Sequence, residues 1–398
     1  MLSARTLRDQ IDRRALLHLA RSLVRIPTEN PPGDERRALI YLEPHLRALG
    51  FRVRRVLSPG GRWNLLAERG FGPVPRGAKP RTFLFNGHID VVPRGDERAW
   101  AHPPFAARVL RGRLYGRGSA DMKGGVAAFL EAVAALLRVG VRSPHRVAIH
   151  LVSDEESLGV EGTGFLTRKG RVRADLAVVG EPTNLVPAVA AKGTLRGTIH
   201  VKGRAAHAAR PGLGLNAIEL AATLVERLSA HKFQAEHDLL GKPTLTVTLI
   251  QGGIRHNVVP PSCALEFDRR IIPGEKPAAV RREIARILLE VRRARPRFRA
   301  GIDFGLFASP SEIPEDAEVV QLADAAIHAL EGRRPTHGGL LGTTDARYLI
   351  ADAGIPTLIL GPGDLAQAHA VDEFVRVEDL HRAAAIYAVM LARFLESP

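Results

Sequence analysis

The stretch Thr82-Phe83-Leu84-Phe85-Asn86-Gly87-His88-Ile89-Asp90 reads as a buried β-strand running into an imidazole and a carboxylate. Its opening run has no helical period and suits a strand covered on both faces, as in parallel sheets. Residues two apart on a strand face the same way, so His88 and Asp90 project together past its end. The same arrangement recurs along the chain. The apolar run Arg146–Val152 leads into Asp154-Glu155-Glu156, and Leu176–Val179 leads into Gly180-Glu181-Pro182-Thr183. Thr357–Leu360 is followed, after a Gly-Pro-Gly loop, by His369.

Helical spacing separates these runs. It predicts helices over Ile11–Ile26, Asp34–Leu49 (with Gly50 as a stop), Gly124–Val139, Ala317–Leu330, Asp345–Ala353 and Glu378–Leu395. Strands alternating with helices predict an α/β fold, a mostly parallel sheet with helices on both faces. Between about Val186 and Ala308 the pattern changes. Leu195–Val201, Leu245–Ile250 and Cys263–Arg270 read as strands, and Asn216–Leu228 and Ala279–Val291 as helices. About four strands and two helices can close on themselves as a smaller α+β insertion. The expected domains are therefore 1–186 plus 309–398, with 187–308 inserted.

At 398 residues, two domains are the default for the chain. No stretch approaches the roughly 20 apolar residues of a membrane span, and Met1 to Arg25 is charged throughout, without the apolar core of an export signal. Cys263 is the only cysteine, which rules out a disulfide within the chain and fits a reducing cytoplasm. The net charge of +15 raises nucleic-acid binding as a competing class. Only eight of the 57 basic residues are lysine, the arginines are spread along the whole chain, and aromatic residues for base stacking make up only 5%. The densest basic run, Arg281 to Arg299, overlaps a helical stripe of Val280, Ile284, Ile287, Leu288 and Val291. It reads as the solvated face of an amphipathic helix, with attraction of anionic substrates as its functional version.

The chemistry lies at the strand ends. His88, Asp121, Glu156, Glu181 and His369 are two imidazoles and three carboxylates, the set that two close divalent cations need if one carboxylate is shared. Zinc takes both donor types, and paired metals about 3.5–4 Å apart activate water and clamp a reacting oxygen. Asp121 sits in Gly116-Arg117-Gly118-Ser119-Ala120-Asp121-Met122-Lys123-Gly124-Gly125, a glycine-rich loop opening a helix. It lacks the Gly-Lys-Ser/Thr ending of a phosphate loop, and its aspartate would repel a phosphate, so metal ligation is the better reading. Asp154-Glu155-Glu156 puts three acids side by side, a costly arrangement unless cations neutralise it. Adjacent side chains of an extended segment diverge, so one carboxylate can hold metal while its neighbour faces substrate. Asp90 can fix the tautomer of a metal-bound His88. Together these residues point to a hydrolase. A metal-binding scaffold without activity is the third class, and the spare carboxylate Glu155 speaks against it.

In these motifs, from about Leu16 to the C-terminus, the chain resembles the M20 (aminoacylase-1/peptidase) superfamily, in particular its acetylornithine deacetylase and succinyl-diaminopimelate desuccinylase group. The resemblance implies two zinc ions per chain, with cobalt as a substitute. Asp121 would bridge them, His88 and Glu181 would complete one site, and Glu156 and His369 the other. Glu155 would be general base and acid. The insertion would be a lid that also forms a homodimer. On it His207, in Gly203-Arg204-Ala205-Ala206-His207, would reach the partner's active site and stabilise an oxyanion. Asn257 and Arg270 would hold the substrate carboxylate, and Gly342 and Thr343 would contact substrate. The substrate would be a small N-acyl amino acid, with dipeptidase or carboxypeptidase activity as the alternative within the same chemistry. Gly180–Leu185, Leu215–Leu220 and Gln367-Ala368-His369 resemble the deacetylases. Thr343-Thr344-Asp345-x-Arg347 resembles the desuccinylases, although Leu365 stands where these carry a polar amide.

Overall fold

The computed structural model describes residues 2–397. The chain divides into two compact units. One comprises Met1–Val189, Glu312–Leu340 and Thr344–Pro398, and the other Ala190–Ser311 with Leu341–Thr343.

The first unit is built on a sheet whose four central strands are parallel. In spatial order they are Arg146–Val152, Thr82–His88, Leu176–Val179 and Thr357–Ile359. Antiparallel strands extend the sheet on both sides, Trp63–Gly70 and Arg52–Leu57 beyond the first of these and Ala188–Ala191 beyond the last. The α/β reading therefore holds. The apolar runs at its centre are almost wholly buried because both of their faces are covered. The outer pair Arg52–Leu57 and Trp63–Gly70 escaped the sequence reading. In Arg52–Leu57 only Val53 and Val56 are buried, three residues apart, so the alternation that marks a half-exposed strand is missing.

The helix Lys123–Arg138 has no polar face and is buried nearly all round, as its Ala- and Leu-rich sequence requires. It packs against Arg13–Val24, Val377–Leu395 and the strand Thr82–His88. Phe85 stacks on Phe129 with centroids 4.2 Å apart, and Tyr387 meets both edge-on at 6.0 and 5.5 Å. Each such pair contributes about 0.5–1.5 kcal/mol beyond its burial. Gly125 lets this helix close on the neighbouring strand end, since a Cβ there would lie 2.4 Å from the carbonyl oxygen of Gly180. The helix expected over Asp345–Ala353 is instead a π-helical turn, Tyr348–Asp352. The consecutive side chains of Arg347 and Tyr348 both donate to the carbonyl of Leu158. A regular α-helix, turning about 100° per residue, would send them apart.

The second unit is an antiparallel sheet in the order Thr244–Gly252, Ser262–Ile271, Gly193–Lys202, Arg299–Ala308. Helices Ala217–Ser229 and Pro277–Ala294 cover one face of it, over a core that includes Ile199, Leu265, Phe267 and Leu224. In Pro277–Ala294 the buried residues are Val280, Ile284, Ile287, Leu288 and Val291, the stripe read from the sequence. Among the described residues no helix is long and apolar enough to cross a membrane.

Candidate active site

Because the four central strands are parallel neighbours, their carboxyl ends share one edge of the sheet, where open α/β sheets place their ligands. His88 is the last residue of its strand. Glu155 and Glu156 follow Val152, Glu181 follows Val179, and His369 lies in the loop after Ile359. Asp121 enters from the side, just ahead of the helix Lys123–Arg138.

Asp121 stands between two imidazoles. Its Oδ1 lies 2.9 Å from His88 Nε2, and its Oδ2 lies 3.5 Å from His369 Nε2. Glu181 Oε1 is 3.8 Å from the same His88 nitrogen, and Glu156 Oε2 is 3.0 Å from the same His369 nitrogen. Donor atoms of His88, Asp121 and Glu156 lie within 4.8 Å of one another, and so do those of His88, Glu155 and Glu181. Glu155 therefore stands beside the His88–Glu181 pair.

The electrostatics of the cluster follow from burial and from its charged neighbours. Burial pushes Glu155, Glu156 and Glu181 above the usual carboxylate range. The negative neighbours Glu181 (for Glu155) and Asp121 (for the other two) push the same way. Burial pushes His88 down, but hydrogen bonds with Asp121 and Asp90 outweigh it and hold the ring well above its ordinary value. The hydrogen bond with Asp121, reinforced by Glu156, raises His369 to about 10. Asp121 is held well below the usual range: burial opposes this, but the bonds to His369 and His88 prevail. The buried carboxylates outnumber the imidazoles, so the cluster favours bound positive charge. Divalent cations can supply it, and two imidazoles with three carboxylates form a donor set that suits zinc.

Asp154, Glu155 and Glu156 do not form the extended segment expected from the sequence. Glu155–Ser157 is a 3₁₀ turn bracketed by two left-handed residues, Asp154 (φ 71°) and Leu158 (φ 75°). The tight turn, not strand alternation, separates the glutamates. Asp154 is set apart from the two glutamates. Asp154 turns away to accept the Glu161 N–H at 3.0 Å and to pair with Arg62 at 3.3 Å, where Glu35 shares the guanidinium. Asp90 is fully buried beneath the turn. It accepts the backbone N–H groups of Glu155 (3.2 Å) and Glu156 (3.1 Å) and the Asn30 amide (2.8 Å). His88 Nδ1 contacts the carbonyl of Asp90 at 2.9 Å and its carboxylate at 3.6 Å, so the backbone oxygen makes the closer contact with the ring.

Residues 84–393 match the model of peptidase family M20/M25/M40. The chain belongs to this family. It is 34% identical over 365 residues to a succinyl-diaminopimelate desuccinylase of Alkalilimnicola ehrlichii, covering 89% of this chain and 92% of that one. It is 35% identical over 393 residues to another from Methylobacterium radiotolerans, covering 95% and 96%. Among solved structures, human carnosine dipeptidase 1 superposes with a TM-score of 0.81 over 99% of each chain at 18% identity, a likeness of fold. This M20-family chain is a metal-dependent amidohydrolase acting on linear amides.

In the second unit of this M20 protein, the structure brings together two of the residues expected to act on substrate and sets a third apart. His207 bridges to Val258, and the carbonyl of Asn257 accepts the Ala208 N–H at 3.0 Å. Both His207 and Asn257 are exposed. His207 Nδ1 accepts the Ala209 N–H at 3.1 Å, so a neutral ring carries its proton on Nε2. Arg270 lies at the opposite end of the sheet, paired in register with Thr194 and Thr244, while Lys202 and Ser262 mark the His207 end. Eight strand residues at about 3.3 Å each put roughly 26 Å between Ser262 and Arg270, and His207 and Asn257 lie in the loops beyond the Ser262 end. Asn257 and Arg270 of one chain therefore cannot hold the same carboxylate. Arg270 pairs with Asp268 at 2.8 Å and remains partly exposed, whereas its neighbour Arg269 is fully buried between Glu275 and Glu283. Thr343 Oγ1, beside Gly342, donates to the carbonyl of Lys192 at 2.9 Å. Asp345 is a buried member of the first unit. It accepts from Thr163 Oγ1 at 2.6 Å, and burial pushes it up to about 6.

The sequence reading gave no part to two further buried residues. Glu373 is fully buried and accepts four hydrogen bonds from the loop that carries Asp121. Its only sequence signal is a position four residues beyond His369. Lys123 is also buried, donating to the carbonyl of Ile26 at 2.8 Å, and burial lowers it to about 7. The sequence places it in the glycine-rich loop, next to Met122, with nothing to mark its burial.

Proposed function

We propose that the chain is a di-zinc hydrolase that cleaves the amide bond of an N-acyl amino acid. The observation that carries this reading is Asp121, one carboxylate set between two imidazole–glutamate pairs. His88 and Glu181 would hold one cation, Glu156 and His369 the other, and Asp121 both. Held there, two cations would supply Lewis-acid chemistry, lowering the pKa of a bound water and polarising the scissile carbonyl. Glu155 takes the proton of the attacking water and passes it to the leaving nitrogen. His207, with its proton on Nε2, donates to the developing oxyanion. The separation of Asn257 and Arg270 supports a site completed by a second copy of the chain, His207 and Asn257 coming from one copy and Arg270 from the other. The reading includes a homodimer in the cytoplasm, with cobalt able to replace zinc.

The desuccinylase relatives, 34% and 35% identical over most of the chain, favour an N-succinyl diamino acid as substrate. Leu365, an apolar residue at the turn before His369, favours N-acetylornithine as the second reading. One screen of N-succinyl, N-acetyl and N-formyl amino acids and dipeptides, with zinc content measured on the same preparation, tests both. The expected result is close to two zinc ions per chain and fastest turnover of an N-succinyl substrate. Full activity in metal-free protein would overturn the reading.

A further inference from the structure

We infer that Glu373 and Arg117 are positioning residues that set the span between Asp121 and His369, and with it the geometry of both metal sites. The inference rests on the proposed di-metal reading. Glu373 Oε1 accepts the N–H groups of Ala120 (2.9 Å) and Asp121 (3.2 Å). Its Oε2 accepts Gly118 N–H (3.0 Å) and Arg117 Nη1 (2.9 Å). The carbonyl of Glu373 takes the Gly116 N–H at 2.8 Å. One carboxylate thus organises the loop from residue 117 to 121, as an anion gathers converging N–H groups.

Arg117 continues the link in the other direction. Its Nη1 donates to the carbonyl of Ala370 at 3.1 Å and its Nη2 to that of His369 at 3.3 Å. The guanidinium is 3% exposed and lies 5.1 Å from the Trp100 ring centroid. His369 has a left-handed backbone, φ 63°, which a non-glycine residue keeps only where its surroundings hold it. The loops of Asp121 and His369 are distant in sequence, and a buried acid and a buried base lock them to each other. The two residues touch neither imidazole. They act through the backbone to which the ligands are attached.

The two sites respond differently. Glu373 holds Asp121, which faces both imidazoles, so Glu373→Gln disturbs both cations. A glutamine offers one oxygen and one NH₂, and the NH₂ opposes donors on whichever side it faces. Beyond its pairing with Glu373, Arg117 grips the carbonyls of His369 and Ala370. Arg117→Lys keeps the charge beside Glu373 but loses the fork that reaches two carbonyls, so it disturbs the Glu156–His369 cation alone.

Zinc titration against a competing chelator on the full chain provides the test, with hydrogen exchange on metal-free protein as a second readout. Glu373→Gln should weaken both zinc ions about 10–100-fold, the usual effect of removing a group behind a metal ligand. It should also speed exchange at the amides of Gly118, Ala120 and Asp121. Arg117→Lys should weaken one zinc ion by a similar factor and leave those three amides protected. Should Glu373→Gln fail to fold, the one-ion loss in Arg117→Lys decides the question. A folded variant with lowered melting temperature but wild-type zinc affinities would show a merely structural pair and overturn the inference. Fewer than two zinc ions on the wild-type chain would sink the proposed function instead, and the exchange rates would still decide whether Glu373 holds the loop.

Discussion

The buried carboxylate of Asp90 accepts the backbone N–H of Glu156 at 3.1 Å and that of Glu155 at 3.2 Å. One residue beneath the turn therefore aims both glutamates and meets the His88 ring as well. Asp90→Asn keeps the shape but offers one acceptor oxygen where two are used. Zinc affinity and kcat should each fall about 10–100-fold. Wild-type values for both would remove this role.

Glu155 is the carboxylate left over once each imidazole has its glutamate. Glu155→Gln should retain close to wild-type zinc by metal analysis while kcat drops about 10²–10⁴-fold, the usual contribution of a general acid–base. Unchanged turnover would take the proton-transfer role away from it.

The exposed His207, roughly a strand's length from Arg270, predicts complementation between copies. Glu155→Gln and His207→Ala chains should each be nearly inactive. Equal mixing should restore about a quarter of wild-type activity, because half the dimers then carry one intact site. Exchange of subunits without any recovery would refute a site shared between chains.

Gly125 sits where a Cβ would press on the Gly180 carbonyl, one residue before Glu181. Gly125→Ala should cost about 1–3 kcal/mol of stability, measured by urea unfolding of metal-free protein, as overpacking generally does. A smaller change would mean that the helix moves aside freely.

His337 lies between Glu315 and Asp324, each 3.0 Å from a ring nitrogen. Burial pushes the ring down, but the two carboxylates outweigh it and hold its pKa above the ordinary value. The folded chain thus favours the charged ring, so the stabilisation is complete below about pH 6.5 and disappears as pH rises through the raised value. His337→Gln should cost on the order of 1 kcal/mol in mild acid and little in strong alkali. A pH-independent difference between variant and wild type would contradict this.

Much of the fold could be read in the sequence because burial leaves a plain mark there. Arg146–Val152 and Leu176–Val179 are strands at the residues where their apolar runs lie, and the helix stripe Val280 to Val291 is the buried one. Where burial is partial or the geometry irregular, the signal fades or misleads: the Arg-clad strand Arg52–Leu57 shows no period to detect, and the helical spacing over Asp345–Ala353 gives no sign of the π-turn Tyr348–Asp352.

The sequence by itself determined which side chains could do chemistry and that they follow strand ends, because donor type and periodicity are local properties. Only the tertiary structure decided how they meet. It turned Asp154 toward Arg62, set Asp121 between His88 and His369, and put Glu373 behind the Asp121 loop. Each of these depends on hydrogen bonds between residues far apart along the chain, and such partners leave no spacing to read.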